Sequence, residues 1–142
     1  MVQTSRIIRT ATQEDVPYIM PLFDEARAKM HASGNSRQWI NGYPSVEKVL
    51  EDIRQNGAFV VEEKESIVAY FAFLPSPQPT YGKIVGGKWL EYHSSYHVIH
   101  RIAAMHRVTQ HFAIVLTTKR QTTFDDCRFV FYKMLVCSLR QN

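Results

Sequence analysis

Glycine is missing from the last part of this sequence. All six glycines lie at or before Gly87, and all six prolines at or before Pro79. At the usual frequency of about 7% the stretch after Gly87 would hold roughly four glycines. It holds none. That absence excludes a glycine-lined phosphate cradle there, since such a cradle needs backbone amides to approach an anion with no Cβ in the way. Cysteine is scarce too. Cys127 and Cys137 alone do not make a disulfide framework. The histidine pairs His97 with His100 and His106 with His111 lack cysteine or carboxylate partners at ligand spacing, so no metal site is expected. No apolar run approaches the length of a membrane span. The opening "MVQTSRIIRTATQEDV" has no apolar core of leader length, which makes the cytoplasm the expected compartment.

What is present is the composition of a soluble globular domain, with 45% hydrophobic and 21% charged residues in 142. That length fits one domain with its own core. The net charge of +4 is unevenly spread. Residues 1–104 carry 11 basic and 11 acidic side chains, whereas residues 105–142 carry 6 and 2. The composition therefore changes close to Ala104.

The apolar pattern orders the elements. "RIIRT" (6–10) is a candidate strand. A helix follows, with Thr12 as N-cap, Asp15 three residues on, and Val16, Ile19, Phe23, Ala26 and Met30 along one face. Pro21 is a candidate kink, and Gly34 a stop. "SRQWINGYPS" (36–45) is a loop carrying Trp39 and Tyr43. A second helix has Ser45 as its cap, Val46, Val49, Leu50 and Ile53 as its face, and Gly57 as its end. "AFVVEEKESIVAYFAFL" reads as a hairpin around a polar turn. A long polar excursion follows, with one short strand near Tyr81–Val85. "YHVIHRIAA" (96–104) is a strand, 107–118 is helix-like, and 127–136 holds a last strand. The order predicts an α/β domain with a mixed, mostly antiparallel sheet flanked by helices.

This order, with "IIRTATQEDVPYIMPLFDEAR", "QWINGYPSVEKVLEDI" before "AFVVEEKESIVAYFAF", and "PTYGKIVGGKWL" before "YHVIHRIAA", resembles the GNAT superfamily of acyl-CoA-dependent N-acyltransferases over about residues 6–104. The resemblance implies a single GNAT-like domain over 1–142, in which 105–142 is an atypical tail and the fold is incomplete at the C-terminus. It implies acetyl-CoA as co-substrate, its pantetheine arm pairing with the central strand at Ile102, Ala103 and Ala104 as an added strand would. It also implies a following Arg/Gln-x-x-Gly-x-Gly/Ala loop for the pyrophosphate. The closest register starts at Arg107, with Gln110 where the first glycine belongs and Ala113 just past the last motif position. Two accounts of the tail stand open: a frameshift or truncation near Ala104, and divergence.

The candidate site residues follow. His100 is the candidate catalytic group, accepting a proton from an amine or positioning it. The bland alternative is a hydrogen-bonded core histidine. Arg107 is the candidate phosphate contact. Trp39, Tyr43 and Tyr81 are candidate walls of an acceptor pocket, or simply lids over the core. Glu62, Glu63 and Glu65 read as a solvated turn. The function so implied is transfer of an acetyl group from acetyl-CoA to a small-molecule or peptide amine, with the glycine-free loop weakening or abolishing it. The alternative is a non-catalytic remnant acting through protein–protein contacts, with a homodimer as one form. A membrane partner is not expected. The basic residues of the tail are too scattered to make a nucleic-acid surface.

Overall fold

The computed structural model describes residues 5–75, 96–108 and 128–129. The chain forms β1 (Arg6–Thr10), a 3-10 turn (Gln13–Asp15), α1 (Val16–Ala32), α2 (Val46–Arg54), β2 (Ala58–Glu63), β3 (Ser66–Pro75), β4 (Tyr96–Ala104), a second 3-10 turn (His106–Val108) and β5 (Arg128–Phe129). The strands lie side by side in the order β1-β2-β3-β4-β5. The first four are antiparallel, and β5 joins β4 in parallel. This is the mixed, mostly antiparallel sheet that the order of elements predicts.

Local chemistry explains the element ends. The Thr12 amide donates to Asp15 Oδ2 at 2.8 Å, closing the capping turn. Asp15 is also gripped by Arg9 through Nη1 at 2.7 Å and Nη2 at 2.9 Å, which holds its carboxyl below the usual range. The helix runs through Pro21, whose side is exposed. Gly34 then takes the left-handed conformation (φ +84°) expected of a helix stop. Ser45 Oγ accepts the Lys48 amide at the start of α2. At its end the left-handed residue is Asn56. Gly57 is needed for a different reason: a Cβ there would lie 2.3 Å from Leu74 Cδ2 and 2.8 Å from the Phe73 carbonyl oxygen. The hairpin turn is Lys64–Glu65, both at positive φ, the geometry of a tight two-residue hairpin loop.

α1 and α2 pack on one face of the sheet. Val16, Ile19, Leu22, Phe23 and Val49 from the helices meet Val60, Tyr70, Ala72, Leu74 and Ala103 from the strands. Val46, expected on the buried face of α2, is 40% exposed. It occupies the first helical position. The opposite face gathers Val61, Val68, Phe71, Phe73 and Val108, with Ile99 and Ile102 partly buried beside them. Burying each large apolar side chain of these two clusters contributes roughly 1.5–3 kcal/mol. The expected strand near Tyr81–Val85 lies outside the described residues. So does most of the expected 107–118 helix, whose residues 107 and 108 belong to the 3-10 turn His106–Val108.

Candidate functional site

β4 departs from regular pairing at one point. Ala72 on β3 faces His100 and Tyr70 faces Ala103, so one residue of β3 stands opposite two of β4, Arg101 and Ile102. This is a β-bulge. Arg101 sits there at φ +51°, a conformation a non-glycine side chain adopts only under constraint. The bulge also breaks the alternation of faces. Ile99 and Ile102 both join the second cluster, so the two residues between them, His100 and Arg101, share the side that looks toward α2.

The constraint on Arg101 is a buried ion pair. Arg101 donates to Asp52 from Nε at 2.8 Å and from Nη2 at 2.5 Å. Tyr70 donates its hydroxyl to the same Asp52 Oδ2 at 2.7 Å. Arg101 Nη1 donates to the Tyr43 hydroxyl at 3.2 Å. Asp52 is 1% exposed, Arg101 5% and Tyr70 0%. Burial alone would lower the Arg101 pKa, but the hydrogen bonds and charge of Asp52 outweigh it and raise it. Burial, then the Asp52 charge, push the Tyr70 phenol far above its usual range. Half-buried His100 goes the other way. Burial first, then the positive charge of Arg101, hold its pKa below 6.5, which keeps the imidazole neutral at pH 7.

Loop 36–45 is fastened to this cluster at two points. Trp39 meets Phe23 edge to face at 5.5 Å, and Phe23 meets Tyr70 the same way at 5.3 Å. Tyr43 is held by Arg101 through its hydroxyl and by Arg27 Nη1 through its carbonyl at 3.0 Å. Beyond β4 the chain turns at once, and three of its amides are engaged. Met105 N–H donates to the Val68 carbonyl at 2.9 Å, His106 N–H to Glu25 Oε1 at 3.0 Å, and Val108 N–H to the Met105 carbonyl at 3.0 Å. The Arg107 guanidinium donates to Glu63, which also accepts from Arg6 Nε at 2.7 Å. Among the described residues β5 pairs with β4 at Tyr96 and His97. Among the described residues, no strand pairs with the outer edge of β4 from Val98 to Ala104.

Solved structures resemble this fold. One, an acetyltransferase of the GNAT family from Streptococcus agalactiae, superposes with a TM-score of 0.72 at 29% identity, over 84% of this chain and 74% of that one. This chain has the GNAT acetyltransferase fold. A GNAT-family acetyltransferase from Listeria monocytogenes gives 0.58 at 14% identity, over 83% and 73% of the two chains, a likeness of fold alone. No family model matches the sequence, and neither does a curated protein.

Within this GNAT fold the sequence-derived candidates divide. His100, Ile102, Ala103 and Ala104 share β4, and Trp39 and Tyr43 reach the same region through loop 36–45. Arg107 is drawn toward Glu63 at the end of the hairpin. Tyr81 lies outside the described residues, as do Gln110 and Ala113 of the expected phosphate loop. The sequence reading passed over Asp52 and Tyr70. A signal was available for Asp52: it lies three residues after Val49, on the apolar face of α2. Glu63 was expected in solvent. It is 6% exposed, and hydrogen bonds from Arg107 and Arg6 keep its carboxyl below the usual range. A shallow open groove of about 410 Å³ beside Thr10, Glu14, Ile53 and Asn56 lies on the β1 side of the sheet, away from this cluster. Among the described residues no helix is long and apolar enough to cross a membrane.

Proposed function

We propose that this chain is an N-acetyltransferase by design of its β4 region, taking the acyl-pantetheine arm of acetyl-CoA along Ile102, Ala103 and Ala104. The observation that carries this reading is the outer edge of β4. Among the described residues it runs from Val98 to Ala104 beside a bulge with no strand laid on it, β5 pairing at Tyr96 and His97. A sheet edge with no neighbouring strand takes an extended amide chain as it would a strand, and pantetheine is such a chain. The acceptor is an amine lodged between loop 36–45, with Trp39 and Tyr43, and the strand. In this reading His100 takes its proton. Orientation of amine and thioester supplies most of the remaining rate.

The same reading makes whole acetyl-CoA a poor ligand. Three amides of the turn after β4 are satisfied by the chain's own groups, one of them by the Glu25 carboxylate. Arg107 reaches a phosphate only in competition with Glu63. The test is a titration of the isotopically labelled protein with S-acetylpantetheine, followed by NMR. Shifts confined to residues 98–104 and loop 36–45 are the expected result. Saturable binding elsewhere, or none at millimolar ligand, rejects the site.

A further inference from the structure

Arg101 is the one described strand residue at positive φ; Trp39, Asn41, Asn56, Lys64 and Glu65 all lie in loops or turns. Glycine would adopt that conformation without strain. Arginine does so only where its surroundings over-determine it. Three hydrogen bonds from one guanidinium do this: two to Asp52 and one to Tyr43. Asp52 is fixed in turn by Tyr70. Buried ion pairs of this kind contribute little net stability compared with apolar side chains of similar volume. Strain combined with a pair of low net worth points to a geometric role. The strained residue lies immediately before Ile102–Ala104.

We infer that Asp52 is a positioning residue for the acyl donor: from α2, through Arg101, it holds the β4 bulge open beside the track proposed for pantetheine. A bulge leaves backbone groups of its extra residue out of the ladder. Held in place, they meet the thioester carbonyl and not the rest of the arm. Asp52 itself, 1% exposed, touches no ligand. Tyr43 links the same guanidinium to loop 36–45, so the donor strand and the acceptor loop are set by one side chain. The inference rests on the proposed site, and its test separates the two.

The test compares wild type with Asp52→Asn by two readouts. The first is the backbone conformation of Arg101 from NMR chemical shifts, without ligand. Left-handed shifts in wild type that are lost in Asp52→Asn are expected. The second is the affinity ratio of S-acetylpantetheine to pantetheine, which isolates the carbonyl contact. Wild type should favour the acetyl form by roughly tenfold, the worth of one good hydrogen bond. Asp52→Asn should bring the ratio near one, with pantetheine binding unchanged. A purely structural role would weaken both ligands alike. Should Asp52→Asn not fold, Tyr70→Phe loosens the same carboxylate and should lower the ratio in the same direction. An Arg101 that stays left-handed in folded Asp52→Asn, or an unchanged ratio in the folded variant tested, overturns the inference. If wild type binds neither ligand, the proposed site is wrong and the inference falls with it, whereas binding of both ligands with an unchanged ratio in the variant overturns the inference alone.

Discussion

Replacing Asp52 with alanine should be among the most damaging single changes in the described part of this chain. The carboxylate is 1% exposed and accepts three hydrogen bonds, two from Arg101 and one from Tyr70. Its removal leaves a guanidinium charge at 5% exposure facing a cavity. Breaking a buried pair from one side costs about 3–5 kcal/mol. The orphaned Tyr70 hydroxyl would cost about 1–3 kcal/mol by itself, partly the same energy counted again. A net loss of about 4 kcal/mol is a large share of the roughly 5–15 kcal/mol that holds a domain together. For a chain of this size it lowers Tm by about 12 °C. Thermal and urea denaturation followed by circular dichroism measure this directly. The control is Asp52→Leu with Arg101→Met and Tyr70→Phe, which removes the three buried polar groups together and leaves the 38% exposed Tyr43 to solvent. It should stay within about 2 kcal/mol of wild type, because a packed apolar trio replaces the network at similar volume. A single alanine variant that loses less than about 1 kcal/mol, or a triple variant as unstable as the single one, would refute the reasoning.

Two further outcomes are expected. Gly57→Ala should destabilise by about 1–3 kcal/mol through overpacking, because its Cβ would lie 2.8 Å from a backbone oxygen that cannot move without disturbing β3; a variant as stable as wild type in urea would show that the strand gives way. His100 makes stability depend on pH. Its folded pKa lies below 6.5, so the unfolded chain binds the proton first and stability is lost as pH falls through 6.5 toward the folded value. His100→Gln should flatten the change in Tm between pH 8 and 5.5, and an identical slope in both proteins would contradict this.

The legible part of the fold is the part governed by local period. α1 and the hairpin announce themselves by spacing alone, and so does β4. Asp52 did not, because a carboxylate on an apolar face reads as a boundary of that face until its counter-ion is known. That counter-ion lies 49 residues away. Glu63 failed for the same reason: the arginines that bury it come from positions 57 and 44 residues distant. The bulge was invisible because no glycine or proline marks it. Arg101 takes the left-handed conformation through long-range contacts, against its own preference. Sharing of one face by His100 and Arg101 follows from that bulge, whereas strict alternation would have separated them. The missing glycines, by contrast, are plain in the sequence, while Gln110 and Ala113 of the expected phosphate loop lie outside the described residues.

The central claim is a pantetheine strand without a pyrophosphate cradle. The affinities of acetyl-CoA and S-acetylpantetheine for the whole chain, measured side by side by calorimetry or NMR, test it most directly. A working cradle adds at least two charged hydrogen bonds of about 1.5–3 kcal/mol each, which separates the two ligands by roughly two to four orders of magnitude. Equal affinities, both near millimolar, are the result predicted here. Acetyl-CoA binding in the low micromolar range, far tighter than S-acetylpantetheine, would contradict it and show that this loop grips phosphate without glycine.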